Sequence, residues 1–343
     1  MQAMTASSLG RRWLRQLLAI NPTADRAIRR LRRTTALLAL DTEVQRLRAA
    51  LERVDGGLEI APSVAPFVTW APPGHFYSPV PDMAELEGRI EDLCNAARTP
   101  AGVDLRTDAQ LALFGELAAL VRSVSFPEEP GGAAGRYGTD NPSYGVGDAS
   151  MLHAMLRHLR PRRYLEVGSG YTTALALDVN EQFLDTKMEI TAIEPHPALL
   201  RRLVRPGDSL EVIGSPVQSV PLERFSALEA NDVLFIDSTH VLKTGSDVQF
   251  LFGRVLPNLA DGVYIHVHDI FWPFEYLAHW IREGRAWNEA YLLQAFLSGN
   301  RDFEVVLWNH YLALRERDVV ARELPGILEN PGGALWLRRC AAR

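Results

Sequence analysis

Cysteine is scarce in this chain of 343 residues, and long apolar runs are missing from it. The two cysteines, Cys94 and Cys340, lack the spacing of a metal site and suit a reducing compartment. No stretch approaches the ~18–20 consecutive apolar residues that cross a bilayer. Arginines interrupt the apolar stretch near the N-terminus, so no secretory leader is expected. A cytoplasmic protein is therefore expected.

Lysine is absent from residues 1–53, which hold eleven arginines and four acidic residues, a net charge of +7. Since the whole chain carries −6, the remainder carries −13. A basic arm on an acidic body is typical of peripheral contact with an anionic membrane, and a solvated helix face is the alternative. The acidic body argues against nucleic acid as the principal substrate.

Residues 24–54 are predicted to be helical, because six apolar residues repeat with heptad spacing from Leu37 to Val54. The seam predicts either a short coiled coil that joins copies into a homo-oligomer or a helix packed on its own body. Residues 61–82 hold six prolines and cannot be a helix or a central strand. We therefore predict a basic helical extension over 1–56, a Pro-rich connector with a helical cap over 57–145, and an α/β domain over 146–343.

The α/β domain is predicted from apolar runs that alternate with helical segments. The predicted strands cover 163–167, 189–194, 210–214, 232–237, 262–267, 303–309 and 334–339, and the predicted helices include 148–159, 172–180, 197–204 and 246–259. Continuous apolar strands with helices between them indicate a parallel sheet covered on both faces. The expected fold is α/β, a doubly wound and mostly parallel seven-stranded sheet with an N-terminal helical extension.

Glycine, acidic or histidine residues stand at the carboxyl ends of four predicted strands. They are the "EVGSG" turn, Glu194, the pair Asp237 and His240, and the "HVHD" segment. Ligands of doubly wound folds bind outside these strand ends. One such strand end would be weak evidence for an active site, but four strand ends of this kind on the same edge of the sheet indicate one.

The glycine-rich turn does not complete a dinucleotide fingerprint. Thr173 occupies the third glycine position of G-x-G-x-x-G, which disfavours the alternative of an NAD-type enzyme. Glu194 follows Gly168 by 26 residues, where an acid can accept hydrogen bonds from ribose hydroxyls. No G-x-S-x-G is present, so a serine hydrolase is not expected.

The segments "LEVGSG", "IEP" and "FIDSTH" resemble the class I S-adenosylmethionine-dependent methyltransferases. The longer blocks "RYGTDNPSYGVGDASML", "DVLFIDSTHVLKTGSDV" and "GVYIHVHDIFWPFEY" resemble a narrower bacterial group often found among glycan-biosynthesis genes. The resemblance covers roughly 145–343. It implies a Rossmann-like fold, S-adenosyl-L-methionine as cofactor and methyl transfer.

The resemblance also implies roles for the matching positions around the cofactor. Glu166, Gly168 and Gly170 would line the methionine moiety, Glu194 would hold the ribose, and the segment that ends at Gln218 would lie beside the adenine. The full set of expected cofactor residues is Glu166, Gly168, Ser169, Gly170, Tyr171, Glu194, Gln218 and Asp237.

The catalytic residues implied by related catechol-type O-methyltransferases are Asp237, His240 and Asp269. In those enzymes the fourth strand ends in a metal-ligating Asp, and a basic group three residues later takes the acceptor proton. Their fifth strand ends in an Asp-Asn pair, whereas here Asp269 is followed by Ile270, so His268 is the substitute ligand expected beside Asp237 and Asp269 for a cation such as Mg²⁺. An alcohol needs a base or a metal to lose its proton.

Aromatic and polar residues after the fifth strand suggest where the acceptor binds. Trp287, Asn288, Glu289 and Tyr77 are predicted to contact it, because aromatic faces with hydrogen-bonding neighbours suit a sugar, glycan or glycosylated metabolite; a hydrophobic lid is the alternative. His266 is expected to be a core histidine. A non-catalytic scaffold that retains the fold is the remaining functional alternative, and the acidic strand ends argue against it.

Overall fold

The computed structural model describes residues 63–122, 124–132 and 134–340. The chain divides after Pro72 into two units, Met1–Pro72 and Pro73–Arg343. The described part of the first unit contains one short helix, Ala65–Trp70 (α1). The prediction that residues 61–82 hold no helix was therefore wrong. Pro66 lies in the first turn of α1, where a missing N–H breaks no helical hydrogen bond, and Pro72 comes after the helix has ended. The predicted helix over 24–54 and the basic extension over 1–56 lie outside the described residues.

The second unit holds the sheet and the helices around it. Before the first strand come Met83–Leu86 (α2), Ile90–Leu93 (α3), Thr107–Val121 (α4) and Val146–Leu159 (α5). Along the rest of the chain follow Tyr171–Phe183 (α6), Leu200–Leu203 (α7), Glu223–Ser226 (α8), Asp247–Phe250 (α9), Ala278–Arg282 (α10), Glu289–Leu297 (α11), Asn309–Arg315 (α12) and Arg317–Glu323 (α13). No helix in the described part of the chain is both long and apolar enough to cross a membrane.

The seven strands form one sheet in the order β3-β2-β1-β4-β5-β7-β6. They are Arg163–Val167 (β1), Glu189–Ile193 (β2), Leu210–Ile213 (β3), Val233–Ile236 (β4), Tyr264–Val267 (β5), Phe303–Trp308 (β6) and Leu335–Arg339 (β7). The strands β1 to β5 run parallel, and β7 pairs antiparallel with both β5 and β6. The predicted doubly wound, mostly parallel seven-stranded sheet is confirmed.

The central strands of the sheet are buried, as their continuous apolar sequences predict for strands that are covered on both faces. All four residues of β4 are fully buried, and β1 is buried over its last four residues. Each such Leu or Ile contributes roughly 1.5–3 kcal/mol when it leaves water. Helix α5 supplies much of one covering layer, since ten of its residues are buried.

One predicted helix is more complex than its sequence pattern suggests. The segment predicted as a single helix over 246–259 begins as α9, continues as a π-helix over Leu251–Val255 and ends as a 3₁₀ turn over Leu256–Asn258. The apolar periodicity does not distinguish these three hydrogen-bond patterns, and Pro257 lacks the N–H that a continued helix requires.

The topology determines which strand ends come together. Because β1, β4 and β5 are adjacent and parallel, their carboxyl ends meet at one edge. Strand β2 adds Glu194 on the other side of β1.

Candidate active site

The turn after β1 lies directly against the end of β4. Gly168 has φ +92°, and a Cβ on it would lie 2.0 Å from the carbonyl oxygen of Asp237. Gly170, at φ +151°, would bring a Cβ to 3.1 Å from the Leu199 side chain. Both positions therefore require glycine, because an L side chain is strained at such φ values and has no room at Gly168. The loop at residues 168–170 is thereby held beside Asp237.

Glu166, predicted to line the cofactor, is fully buried at the end of β1 and contacts the first turn of α6. One of its carboxylate oxygens accepts a hydrogen bond from the Thr172 hydroxyl, and the other accepts one from Thr173 at 2.7 Å. Burial raises the pKa of Glu166 to about 8, although the two threonine hydroxyls oppose that rise. Glu166 therefore ties the end of β1 to the first turn of α6. Thr173, at the third glycine position of the motif, supplies one of these hydrogen bonds.

Two serine hydroxyls at neighbouring strand ends suggest where a ligand binds. The Oγ atoms of Ser169 and Ser238 are buried and have no hydrogen-bond partner within the described part of the chain. Buried hydroxyls normally have a partner, so both are available to a bound polar molecule. They follow β1 and β4, which are adjacent in the sheet. These residues fit the cofactor that the sequence implies.

The other expected cofactor residues lie along the same edge of the sheet. Tyr171 begins α6 and is half-buried. Glu194 directly follows β2, and its Oε1 accepts a hydrogen bond from the backbone N–H of His196 at 2.7 Å. Gln218 lies after β3 on an exposed turn and donates to the carbonyl of Gly245 at 2.9 Å. Their roles in cofactor binding remain predictions.

Three side chains from the ends of β4 and β5 converge. The Nε2 atom of His240 lies 3.3 Å from Asp237 Oδ1 and 3.7 Å from Asp269 Oδ2. One ligand atom from each of Asp237, His240 and Asp269 lies within 4.8 Å of the others, a spacing that suits a metal ion. The structure thus brings together the three residues predicted to be catalytic.

Two of these residues have strained backbone conformations. His240 and Asp269 both have left-handed backbone conformations, with φ +59° and +57°. Such conformations are uncommon for residues other than glycine, and they occur disproportionately at active sites. The left-handed turn at Asp269 comes directly after His268. We therefore place Asp237, His240 and Asp269 at the centre of the candidate site.

His240 is buried among carboxylates. Its Nδ1 donates to Glu289 Oε2 at 2.9 Å, while its Nε2 faces Asp237 and Asp269. Burial disfavours the charged ring, yet the hydrogen bonds to Asp237 and Glu289 raise the pKa of His240 to about 10. The neighbouring carboxylates therefore favour the protonated ring.

The segment predicted to contact the acceptor lies on His240. The ring of Trp287 packs 4.4 Å from the His240 ring, measured between centroids. Asn288 Oδ1 accepts from the backbone N–H of Leu242 at 2.6 Å, and Glu289 bonds the imidazole itself. Trp287 and Asn288 are half-buried, whereas Glu289 is fully buried. Their contacts thus include His240 and the backbone after it.

His268, the expected third metal ligand, lies beside Asp237, His240 and Asp269. Among the described residues, those three come close enough together to hold a metal ion, and His268 is not one of them. Its Nε2 is 3.6 Å from Asp269 Oδ1, and its Nδ1 is 3.4 Å from His266 Nε2. Alternate residues of a strand share a face, so His266 and His268 stack in the core on Phe235. His240, three residues after Asp237, supplies the imidazole instead.

Tyr77, the remaining residue predicted to contact the acceptor, lies in an exposed aromatic cluster. Its ring packs 4.2 Å from Phe76 and 5.6 Å from His75, measured between centroids.

One residue of the site region was missed by sequence analysis. Asp148, in the first turn of α5, is buried and accepts backbone hydrogen bonds from Gly333 and Ala334 at 3.2 and 3.0 Å. Burial raises the pKa of Asp148 to about 6, and Asp269 adds to that rise. No local pattern in the sequence connects residue 148 to residue 333. Its sole sequence signal is its place at the end of "SYGVGD".

Comparison with known proteins identifies the family. Residues 165–270 match the family model described as a methyltransferase domain. An uncharacterized protein of Archaeoglobus fulgidus is 38% identical over 165 residues, which cover 47% of this chain and 74% of that protein.

Two solved structures are more distant. A methyltransferase of Podospora anserina with bound SAH is 19% identical, covers 76% of this chain and 97% of its own, and has a TM-score of 0.39. The O-methyltransferase TomG of Streptomyces achromogenes, in complex with SAM, is 16% identical, covers 59% and 84%, and also has a TM-score of 0.39. Likenesses at this level say nothing about individual residues here.

The sequence match covers the β1 turn, Glu194, Asp237, His240 and Asp269, all of which lie at one edge of the sheet. The match therefore favours a methyltransferase over the alternative of an NAD-type enzyme. The chain belongs to the class I S-adenosylmethionine-dependent methyltransferases.

Proposed function

We propose that the protein transfers the methyl group of S-adenosylmethionine to a hydroxyl oxygen. The observation that carries the proposal is the convergence of Asp237, His240 and Asp269 within 4.8 Å, directly beside the loop that contains Gly168. Methyl transfer to oxygen is an in-line displacement, so the acceptor must be aligned and must lose its proton. Two carboxylates and an imidazole at one position are groups that can hold a hydroxyl and accept its proton.

The charge of the site supports this proposal. Three carboxylates, from Asp237, Asp269 and Glu289, surround the single imidazole of His240. Surplus negative charge favours the sulfonium of the cofactor and a cation near the acceptor. It also favours a proton on His240, so His240 can take the acceptor's proton or bind a cation only after it has lost that proton.

A divalent cation fits the same three donors. Carboxylate oxygens and an imidazole nitrogen are ligands that Mg²⁺, Mn²⁺ and related ions accept, and we infer that Asp237, His240 and Asp269 would hold such an ion. A bound cation would polarise the acceptor hydroxyl and so favour loss of its proton. Asp237 and Asp269 would align the acceptor from two sides.

We infer that the acceptor is a carbohydrate or a glycosylated metabolite. Trp287 is half-buried beside His240, and its ring lies 5.3 Å from that of Trp280. An aromatic face next to hydrogen-bonding side chains is a surface on which the C–H face of a sugar packs well. A sugar hydroxyl can then reach Asp237 and Asp269.

The test measures cofactor binding and turnover separately. Calorimetry with S-adenosylmethionine should show binding, and radiolabel transfer from the cofactor to a panel of hydroxyl acceptors rich in sugars should identify a product. Chelation and the return of Mg²⁺ or Mn²⁺ then test for the cation. Transfer to nitrogen or carbon acceptors alone would contradict O-methylation.

A further inference from the structure

We propose that Glu289 is a positioning residue that fixes the orientation of the His240 ring and directs Nε2 toward Asp237 and Asp269. The inference rests on the proposed role of His240 at the reacting oxygen. Glu289 contacts the Nδ1 side of the ring, opposite the Nε2 atom that faces Asp237 and Asp269.

The contact between Glu289 and His240 is enclosed by protein. Glu289 is fully buried and His240 is 5% exposed, and Oε2 lies 2.9 Å from Nδ1. A histidine whose Nδ1–H is held by a carboxylate presents Nε2 as its reactive nitrogen. Nε2 is the nitrogen that faces Asp237 and Asp269. Glu289 therefore determines which nitrogen works at the centre of the site.

The backbone of the same segment holds the backbone of His240. The N–H groups of Asn288 and Glu289 both donate to the His240 carbonyl, at 3.1 and 3.2 Å. The Asn288 side chain adds hydrogen bonds to both backbone groups of Leu242, at 2.6 and 3.3 Å. These bonds stabilise the strained conformation of His240, whose φ is +59°. Residues 287–289 thus hold His240 by its ring face, its backbone and its Nδ1.

Glu289 is costly as a purely structural residue. Its Oε1 is buried and has no hydrogen-bond partner within the described part of the chain. A buried carboxylate with one unpartnered oxygen loses the hydration of that oxygen without full compensation. A leucine or methionine of similar volume would fill the space without this cost. The carboxylate is explained by what Oε2 does for His240.

The test replaces Glu289 with its isostere. In Glu289→Gln the volume is kept, but a neutral amide, which can also donate through its NH₂ group, replaces the carboxylate that faces Nδ1. We expect turnover to fall roughly 10–100-fold, the usual effect of removing a partner that orients a functional histidine. The affinity for S-adenosylmethionine and the melting temperature should stay close to those of the wild type. Glu289→Asp, which keeps the carboxylate on a shorter side chain, should recover part of the lost rate.

The readout that distinguishes positioning from stability is ¹⁵N NMR of the His240 ring. Positioning predicts that the tautomer and protonation signals of His240 change in Glu289→Gln and partly return in Glu289→Asp. The matched control is Glu283→Gln, at a position six residues before Glu289, which removes an exposed carboxylate that pairs with Arg285 at 2.9 Å. This control should leave the His240 signals and turnover unchanged.

Unchanged His240 signals together with unchanged turnover in Glu289→Gln would overturn the inference. The NMR measurement needs no acceptor, so it is independent of the proposed function. If His240→Ala retains full turnover, the proposed role of His240 fails. Altered His240 signals in Glu289→Gln would in that case still show that Glu289 orients the ring.

Discussion

The two sides of the candidate site are built in different ways. On the side predicted to bind the cofactor, Glu166 binds Thr172 and Thr173, six and seven residues away in the chain. On the side proposed to bind the acceptor, His240 binds Glu289, 49 residues away. A strand, a glycine turn and the start of a helix form the first side almost by themselves. The second side exists only after distant segments have folded together.

This difference predicts which property each side controls. Residues near the glycine turn should control cofactor affinity, and residues at the ends of β4 and β5 should control the rate of methyl transfer. Substitutions that change affinity and rate independently therefore test this difference between the two sides.

The largest expected effect is on rate, from His240→Ala. A general base or an equivalent proton-handling group contributes ~10²–10⁴-fold, so turnover should fall by that factor. Cofactor affinity should change little, because the contacts of His240 are with Asp237, Asp269 and residues 287–289. Steady-state kinetics and calorimetry on the same preparation measure both quantities. A large loss of affinity with normal turnover at saturating cofactor would reverse the assignment.

The converse substitution is Glu194→Ala, on the cofactor side. Loss of an acceptor for ribose hydroxyls should weaken S-adenosylmethionine binding by ~1–3 kcal/mol, since buried polar partners are left unpaired. Turnover at saturating cofactor should change much less. The isosteric Glu194→Gln serves as the control, because it retains an acceptor oxygen and should keep part of the affinity. Equal affinities in all three proteins would remove Glu194 from the binding site.

An effect of similar size, but on stability, is expected from Asp148. This buried carboxylate accepts hydrogen bonds from the backbone of Gly333 and Ala334 and so links α5 to the start of β7. Asp148→Ala leaves those N–H groups without partners, and unfolding should become easier by about 1–3 kcal/mol. Urea denaturation followed by circular dichroism measures this change. Asp148→Asn, which keeps acceptor capacity on one oxygen, should lose less.

The pH dependence of stability should reveal the buried carboxyl of Glu166. Burial raises its pKa from an ordinary value of 4.5 to about 8 in the folded protein. The folded state therefore holds this proton more tightly than the unfolded chain. The resulting stabilisation is fully present below about pH 4.5 and is lost as the pH rises through about 8. Glu166→Gln cannot ionise, so its melting temperature relative to the wild type should increase between pH 4.5 and 8. A constant difference across this range would show that Glu166 stays ionised.

The smallest effect is expected from removal of residues 1–56. The β1 turn, Glu194, Asp237, His240 and Asp269 all follow residue 145, so cofactor affinity should be unchanged. Light scattering and sedimentation with anionic vesicles would test the predicted homo-oligomer and membrane contact, which stay predictions. A marked loss of cofactor affinity in the shortened chain would contradict the separation of the two regions.

Much of the fold could be predicted because each buried parallel strand is itself a continuous apolar run. The runs at 163–167 and 232–237 gave strands at Arg163–Val167 and Val233–Ile236. The edge on which Asp237, His240 and Asp269 meet also followed from the prediction of a parallel sheet, whose strands end on one edge. Neither inference needed knowledge of tertiary packing, since both depend on hydrophobicity and on the direction of the chain.

The contacts within the site could not be predicted in the same way. Trp287, Asn288 and Glu289 were expected at the acceptor, but nothing in the sequence indicates that this segment folds back onto His240. His268 was expected to be a ligand because it adjoins Asp269, and its Nε2 lies 3.6 Å from Asp269 Oδ1. Its Nδ1, however, faces His266 in the core, and His240 is the imidazole that joins Asp237 and Asp269. The left-handed backbone conformation of His240 depends on its surroundings and leaves no local signal in the sequence.

The most direct test of the account is a crystal structure with S-adenosylhomocysteine and an acceptor bound. The account predicts ribose hydroxyls within hydrogen-bond distance of Glu194 and the thioether sulfur beside the Gly168 turn. It also predicts the acceptor oxygen next to Asp237, His240 Nε2 and Asp269. A cofactor bound on this edge with the acceptor oxygen remote from all three side chains would contradict the central claim.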